Sequence, residues 1–289
     1  MEWTETIRAA IDYMENHLLE EIRIAEIAEA VSMSPFYLQK GFHFMTGYTM
    51  VEYIRNRRLY QAALDVIAGK EKIIDLAFRY GYDTPESFTK AFTRFHGISP
   101  TQMKKGNRTI QVFLPLKIQI TIQGGNAMEY TIEKMESFQV IGFERRFNNE
   151  TSYQEIPKFW DEMMGDNASI TNQQRKISAQ YNIGEYGVCI DDIPGGKEFR
   201  YLIAGKYEGG EITDGMTVYT FPEMEWAKFP CRGPLPGALQ SVNTKIFNEW
   251  LPGNHEWEIA LPANMEWYAC GESDAADYQS AIWIPVKKK

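Results

Sequence analysis

One stretch of this sequence sets a carboxylate between aromatic side chains at strand spacing. It reads Met265-Glu266-Trp267-Tyr268-Ala269-Cys270. An extended chain turns successive side chains to opposite faces, so Glu266, Tyr268 and Cys270 share one face and Met265, Trp267 and Ala269 the other. Two kinds of chemistry fit that pattern. A carboxylate is costly to bury among aromatic rings without a partner. A cationic ligand can be that partner, and ring faces add an attraction of about 0.5–2 kcal/mol. Alternatively, Glu266 could serve as the general base of a small-molecule hydrolase with Tyr268 assisting. A plainer reading leaves Glu266 exposed, or paired with a local Lys or Arg.

Other reactive residue types fall into no working constellation. His17, His43, His96 and His255 sit at no metal or triad spacing, and Cys189, Cys231 and Cys270 are too scattered for a disulfide framework or a metal site. Gly195-Gly196-Lys197 lacks the rest of a phosphate-binding loop. Asp191-Asp192 reads as a turn pair and Lys287-Lys288-Lys289 as a solvated tail. No metal or cofactor is expected. The sequence has no apolar run long enough for a membrane helix. Its Met1-Glu2-Trp3-Thr4-Glu5 start lacks the layout of a signal peptide, so a reduced, cytoplasmic setting is expected.

The elements that would position such side chains fall into two halves. Residues 1–105 carry apolar residues at helical spacing: Ile7, Ile11, Met14 and Leu18, then Ile24, Ile27, Ala28 and Val31, then Ile54, Leu59, Ala62, Ala63, Val66 and Ile67. Within this half lies an internal repeat. Glu26-Ile27-Ala28 returns as Asp75-Leu76-Ala77, while Leu38, Phe42 and Gly47 return as Phe88, Phe92 and Gly97. One extra residue in the second turn reconciles the two offsets. Each copy reads as a short helix with a small Ala, a tight turn, and a longer helix ending at Gly, which is helix-turn-helix grammar. Ser34 and Thr84 are suited to N-caps, and Pro35 and Pro85 to the first helical turn. Between the copies, residues 49–68 form one helix of about 30 Å, close to the roughly 34 Å between successive major grooves.

Charge is distributed to match. The chain carries a net −9, yet residues 40–105 hold 11 basic and 6 acidic side chains, and residues 107–289 hold 17 and 25. A basic section beside an acidic second half suits an anionic polymer held at one end of the molecule.

On these residues the first half resembles the DNA-binding domain of AraC-type transcription regulators, over residues 22–104. The second copy carries most of the likeness, in Ile74-Asp75-Leu76-Ala77-Phe78-Arg79-Tyr80-Gly81-Tyr82 and from Ser87-Phe88-Thr89 to Gly97-Ile98-Ser99-Pro100. The first contributes Ser34-Pro35-Phe36-Tyr37-Leu38-Gln39-Lys40-Gly41-Phe42, where Gly41 departs from the larger residue usual there. The resemblance implies base-facing positions at Phe36, Gln39 and Lys40, and at Pro85, Glu86, Ser87, Thr89 and Lys90. Gln can take adenine bidentately, Lys can donate to guanine, and an aromatic ring can meet a thymine methyl. Core packing is the competing reading of Phe36, and a solvated helix face that of Gln39 and Lys40. Arg55, Arg57, Arg58, Arg94, Lys104 and Lys105 are candidates for phosphate contacts or plain surface charges.

The second half shows a weaker repeat. Strand Gln139–Phe147, helix Tyr153–Met164, strand Tyr186–Ile190 and strand Phe199–Lys206 make one β-α-β-β unit. Strand Trp226–Cys231, helix Gly237–Trp250, strand Met265–Ala269 and strand Ala281–Val286 make another. Two such units are expected to share one antiparallel sheet with both helices on one face. This half resembles the GyrI-like effector-binding domain, seen also in Rob-type and BmrR-type regulators. The likeness rests on Val140-Ile141-Gly142, Phe199-Arg200-Tyr201-Leu202-Ile203-Ala204-Gly205, Ala227-Lys228-Phe229-Pro230-Cys231-Arg232-Gly233-Pro234, Trp250-Leu251-Pro252 and Met265-Glu266-Trp267-Tyr268. It implies that Glu266 faces a pocket, with Trp160, Tyr201, Trp226, Phe229 and Tyr268 as candidate walls. Core packing competes for each aromatic.

The expectation is therefore a two-domain chain: an all-α tandem helix-turn-helix domain at 1–106, a linker at 107–126 that packs on something, and an α+β GyrI-like domain with duplicated β-α-β-β units at 127–289. Its expected work is promoter binding biased by a small hydrophobic or cationic ligand, without enzymatic activity and without a membrane partner. RNA polymerase is a candidate partner. The alternatives are a hydrolase and a protein-interaction module.

Overall fold

The computed structural model describes residues 3–106, 110–118, 128–148, 151–165, 168–191 and 198–289. Expectations that fall on 119–122, on Asp192 and on Gly195-Gly196-Lys197 lie outside the described residues. The chain divides into two compact units, Met1–Ile122 and Gln123–Lys289.

The first unit is helical: α1 (Trp3–Asn16), α2 (Ile24–Ala30), α3 (Pro35–Thr46), α4 (Met50–Ala68), α5 (Ile73–Arg79), α6 (Pro85–His96) and α7 (Pro100–Lys104). The repeat seen in the sequence is a repeat of structure. Ser34 Oγ accepts from the Tyr37 amide and Thr84 Oγ1 from the Ser87 amide, so each longer helix has a side-chain cap followed by Pro. Gly47 and Gly97 close those helices in the left-handed conformation at φ 76° and 77°. In the turns, the Met33 amide reaches back to Ala28 O and the Tyr82 amide to Ala77 O. The left-handed residue there is Ser32 (φ 55°) in one copy and Gly81 in the other. Ala28 and Ala77 are buried, leaving room for the longer helix to pack across. Phe88 and Phe92 fill the second copy's core with Leu59, Ala62, Ala63 and Val66 of α4, Leu76 and Ala77.

Residues 110–118 have no regular secondary structure and pack on this unit. The Phe113 ring meets Tyr48 and Tyr53 edge-on or tilted at 5.3 and 5.9 Å, and Phe95 at 6.3 Å. Tyr53 Oη accepts from the Leu116 amide. His96 accepts from the Gln111 amide on Nδ1, so its other ring nitrogen donates to Leu59 O. Burial pushes the His96 pKa down, which keeps that ring neutral.

Among the described residues, the second unit is one nine-stranded sheet. Its elements are β1 (Thr131–Met135), β2 (Phe138–Asn148), α8 (Ser152–Met164), α9 (Asn172–Gln180), β3 (Tyr186–Ile190), β4 (Glu198–Tyr207), β5 (Met216–Phe221), β6 (Met224–Arg232), α10 (Gly237–Lys245), β7 (Trp257–Ile259), β8 (Ala263–Tyr268) and β9 (Gln279–Lys288). The order is β1-β6-β9-β8-β3-β4-β2-β5, with β7 paired to β9. The two repeat units occupy it as β6-β9-β8 and β3-β4-β2, meeting at the antiparallel β8–β3 pair. The second helix is not uniform, because α10 passes into a π-helical turn over Ile246–Trp250. Strands β1, β5 and β7 and helix α9 lie outside the duplicated pattern.

Alternation sorts the sheet into two faces. Val140, Val188, Leu202, Phe221, Trp226, Ala263 and Met265 form a core on one of them. The opposite face carries Phe147, which lies against Phe159 of α8 at 5.6 Å, and Phe229, which lies against Trp250 of the π-turn at 4.9 Å. Both helices therefore cover this second face. Two close approaches require Gly: a Cβ on Gly142 would sit 2.0 Å from Ile203 O, and one on Gly205 1.8 Å from Tyr181 O.

Candidate functional site

The DNA-facing candidates lie on α3 and α6, joined by the 19-residue α4, about 28 Å long. On α6, Pro85, Glu86, Thr89, Lys90, Thr93 and Arg94 line a shallow open depression. Glu86, Ser87, Lys90 and Arg94 are exposed, although Ser87 Oγ donates to Thr84 O. On α3, Gln39 and Lys40 are half-buried, and Gln39 Nε2 donates to Pro35 O at 3.3 Å, a bond weak enough to exchange for a base edge. Phe36 departs from expectation. It is only 4% exposed, with Lys40 Nζ 5.6 Å over its ring, so its core-packing reading holds in this conformation. Gln39→Ala is expected to cost roughly 1–3 kcal/mol on a specific site and to relax preference at one base position. Equal losses on specific and random DNA would remove Gln39 from the base-reading set.

Two basic candidates are corrected. Arg57 is 3% exposed and ion-paired to Glu15, and Arg58 donates to Leu18 O and to Glu20 O, closing the chain that follows α1. The Arg57 guanidinium is taken up by Glu15 and Phe113 O, and the half-buried Arg58 commits Nε and Nη2 to its two carbonyls. Arg55 and Arg94 remain exposed. Lys104 donates to Glu71 O from an exposed position.

The effector candidates gather on the helix-covered face of the sheet, at the seam between the repeat units. Register places Glu266 of β8 opposite Gly187 of β3 and Ile282 of β9. Glu266 Oε2 accepts from Tyr268 Oη at 2.8 Å. Trp160 of α8 donates from Nε1 to Tyr201 Oη at 2.9 Å and stands edge-on to Tyr268 at 5.3 Å. The Tyr201 and Tyr268 hydroxyls also interact, and since Tyr268 gives its one proton to Glu266 it can only accept there, so the two phenols, the indole and the carboxylate form one connected cluster. Burial, then the Glu266 charge, push both phenols well above their ordinary range, so they stay protonated donors at neutral pH. Among the described residues no Lys or Arg pairs with Glu266. A half-buried carboxylate thus stands beside three aromatic rings, satisfied only by a neutral phenol.

Two expected walls need correction. Trp226 is fully buried on the opposite face, packed against Phe221 at 5.1 Å and Phe138 at 5.8 Å. Its position on β6 has the wrong parity for the Glu266 face. Phe229 has the right parity, but β9 separates it from β8, and it packs between Tyr130 and Trp250. Cys270 falls beyond β8 and is exposed.

Gly187, Asn264, Cys231 and Ser280 were missed by sequence reasoning. Gly187 and Cys231 lay in recognised strands, whereas Asn264 and Ser280 stand one residue ahead of the strands expected at Met265 and Ala281; pairing register brings all four to this face. A Cβ on Gly187 would lie 2.3 Å from Tyr201 Oη and 3.2 Å from Glu266 Oε2. Cys231 is buried near Glu266, and burial, then that charge, push its thiol up to about 12.

Residues 131–286 match the family described as "Integron-associated effector binding protein", and residues 27–106 match a "Helix-turn-helix domain". The chain is 28% identical over 102 residues to the multiple antibiotic resistance protein MarA of Escherichia coli, covering 35% of this chain and 80% of that protein. It is 33% identical over 89 residues to the HTH-type transcriptional activator AarP of Providencia stuartii, covering 31% and 66%. Among solved structures it is similar to SAV2435 bound to tetraphenylphosphonium, at 21% identity and a TM-score of 0.44, covering 55% of this chain and 94% of that one. It is also similar to an integron cassette protein from the mobile metagenome of Vibrio cholerae, at 17% identity and a TM-score of 0.35, covering 55% and 95%.

Proposed function

This chain belongs to the integron-associated effector binding protein family through residues 131–286, with a helix-turn-helix domain ahead of them, and from that premise we propose that it is a one-component transcription regulator whose second unit senses a small hydrophobic cation. The Glu266 cluster carries the reading. A carboxylate held next to Trp160, Tyr201 and Tyr268 gains from a positive charge that arrives with its own apolar surface, since neither phenol can neutralise it. Ligand binding then biases the promoter affinity of the unit carrying α3 and α6, by as much as the ligand's affinity differs between the two states of the protein. The relatives, by name a transcriptional activator and an antibiotic resistance protein, lend no support to the hydrolase reading. Among the described residues, no helix is long and apolar enough to cross a membrane.

The test is titration of the full chain with tetraphenylphosphonium, followed by tryptophan fluorescence, because Trp160 belongs to the cluster. Glu266→Gln keeps shape and hydrogen-bonding capacity while removing the charge. It is expected to weaken the cation by at least about 1 kcal/mol and a neutral analogue such as triphenylphosphine oxide much less. If both ligands bind the variant as they bind the parent, Glu266 is not the charge sensor.

A further inference from the structure

Two residues before Glu266, on the same face of β8, stands Asn264. Its neighbours in sequence, Ala263 and Met265, point into the core on the other side of the sheet. Register sets Asn264 opposite Cys189 of β3, and Cys189 opposite Tyr201 of β4, so its row leads directly to the phenol that Trp160 holds. The side chain is 1% exposed, and among the described residues neither Oδ1 nor Nδ2 has a hydrogen-bond partner. A buried amide with both ends unmet works against folding, and a branched apolar residue would suit the strand better. Such a cost persists where the group has work outside the folded chain itself.

We propose that Asn264 is a ligand-recognition residue, and that the cation held at Glu266 also carries a carboxamide-like group that this amide reads. An amide presents one acceptor and one N–H₂ donor group, the complement of another amide. Two residues along one strand separate the charge site from the amide site by about 6.6 Å. The preferred ligand is therefore an aryl cation with a carboxamide across the ring from its charge. This inference rests on the reading of Glu266 as the charge sensor.

The experiment compares benzyltrimethylammonium with its para-carboxamide by calorimetric titration of the full chain. Wild type is expected to bind the carboxamide about tenfold more tightly. In Asn264→Leu and Asn264→Ala that preference falls to within roughly twofold, while benzyltrimethylammonium keeps its affinity. Without ligand, Asn264→Leu should melt no lower than wild type, a result that a structural role for the amide would reverse. If Leu does not fold there, the Ala variant carries the comparison. Equal affinities of wild type for the two probes, or a preference that survives both substitutions, overturns the proposal and leaves Glu266 untouched. Failure of benzyltrimethylammonium itself to bind removes the charge-sensing reading, and this one with it.

Discussion

Arg57→Ala is expected to destabilise the helical unit by about 3–5 kcal/mol, the range for removing one partner of a buried ion pair. The guanidinium holds Glu15 through Nε and Nη2 at 2.7 and 2.8 Å, in the two-pronged geometry that makes such pairs strong. Its Nη1 donates to Phe113 O at 2.6 Å. Tyr53 Oη donates to Glu15 as well, and burial together with that carboxylate pushes its phenol pKa up. Alanine leaves the Glu15 carboxylate short of its main donor and the Phe113 carbonyl unmet. It also loosens α1, α4 and residues 110–118 at once. Hydrogen exchange of α1 and α4 amides in the full chain reads the loss locally. Arg57→Met, which keeps much of the apolar stem, separates stability from DNA contact. A salt dependence of DNA binding flattened by about one unit in that variant would restore Arg57 as a phosphate contact. An unchanged slope is expected.

The second large effect is expected at Gly187. Alanine there places a methyl 2.3 Å from Tyr201 Oη, and Tyr201 is fully buried with its ring fixed between β4 and α8. The far end of a rigid, packed side chain cannot step aside cheaply, and overpacking of this kind costs roughly 1–3 kcal/mol. Tyr201 must leave Trp160 or tilt across Glu266, so hydrophobic cations should lose measurable binding while DNA affinity without ligand is preserved. Thermal unfolding and a tetraphenylphosphonium titration of Gly187→Ala check both halves. Wild-type affinity in that variant would mean that the Tyr201 hydroxyl takes no part in shaping the site.

The DNA-binding half was the more legible of the two, because its information is local. Ser34-Pro35 and Thr84-Pro85 announce the longer helices, Gly47 and Gly97 end them, and the repeat confirms each reading against the other. Local signals could not show that Arg57 is a core residue, since the partners that bury it, Glu15 and Phe113, lie 42 and 56 residues away. In the sheet, the strands and the two helices were legible from alternation and from the β-α-β-β repeat. Glu266, Tyr268, Trp160 and Tyr201 do meet. Trp226 failed because parity along one strand says nothing about which face another strand shares with it. Only pairing register settles that, and for the same reason Gly187 and Asn264 passed unnoticed. Phe36 shows the converse: its helix position was legible, but its burial depends on packing.

The sheet order has a consequence for how the molecule is made. β9 follows every other strand in the sequence, yet it lies inside the sheet, with β6 on one side and β8 on the other. Until β9 is inserted, β1 and β6 form a separate ribbon, and the edges of β6 and β8 offer unpaired backbone to any other chain. The helical unit has no such requirement; its contacts are mostly between neighbouring helices, which assemble fast, whereas pairings such as Thr131 with Lys228 close long loops and assemble slowly. Synthesis runs in the same direction, with the helical unit emerging first. Each new molecule thus completes its helix-turn-helix unit before it closes its sheet.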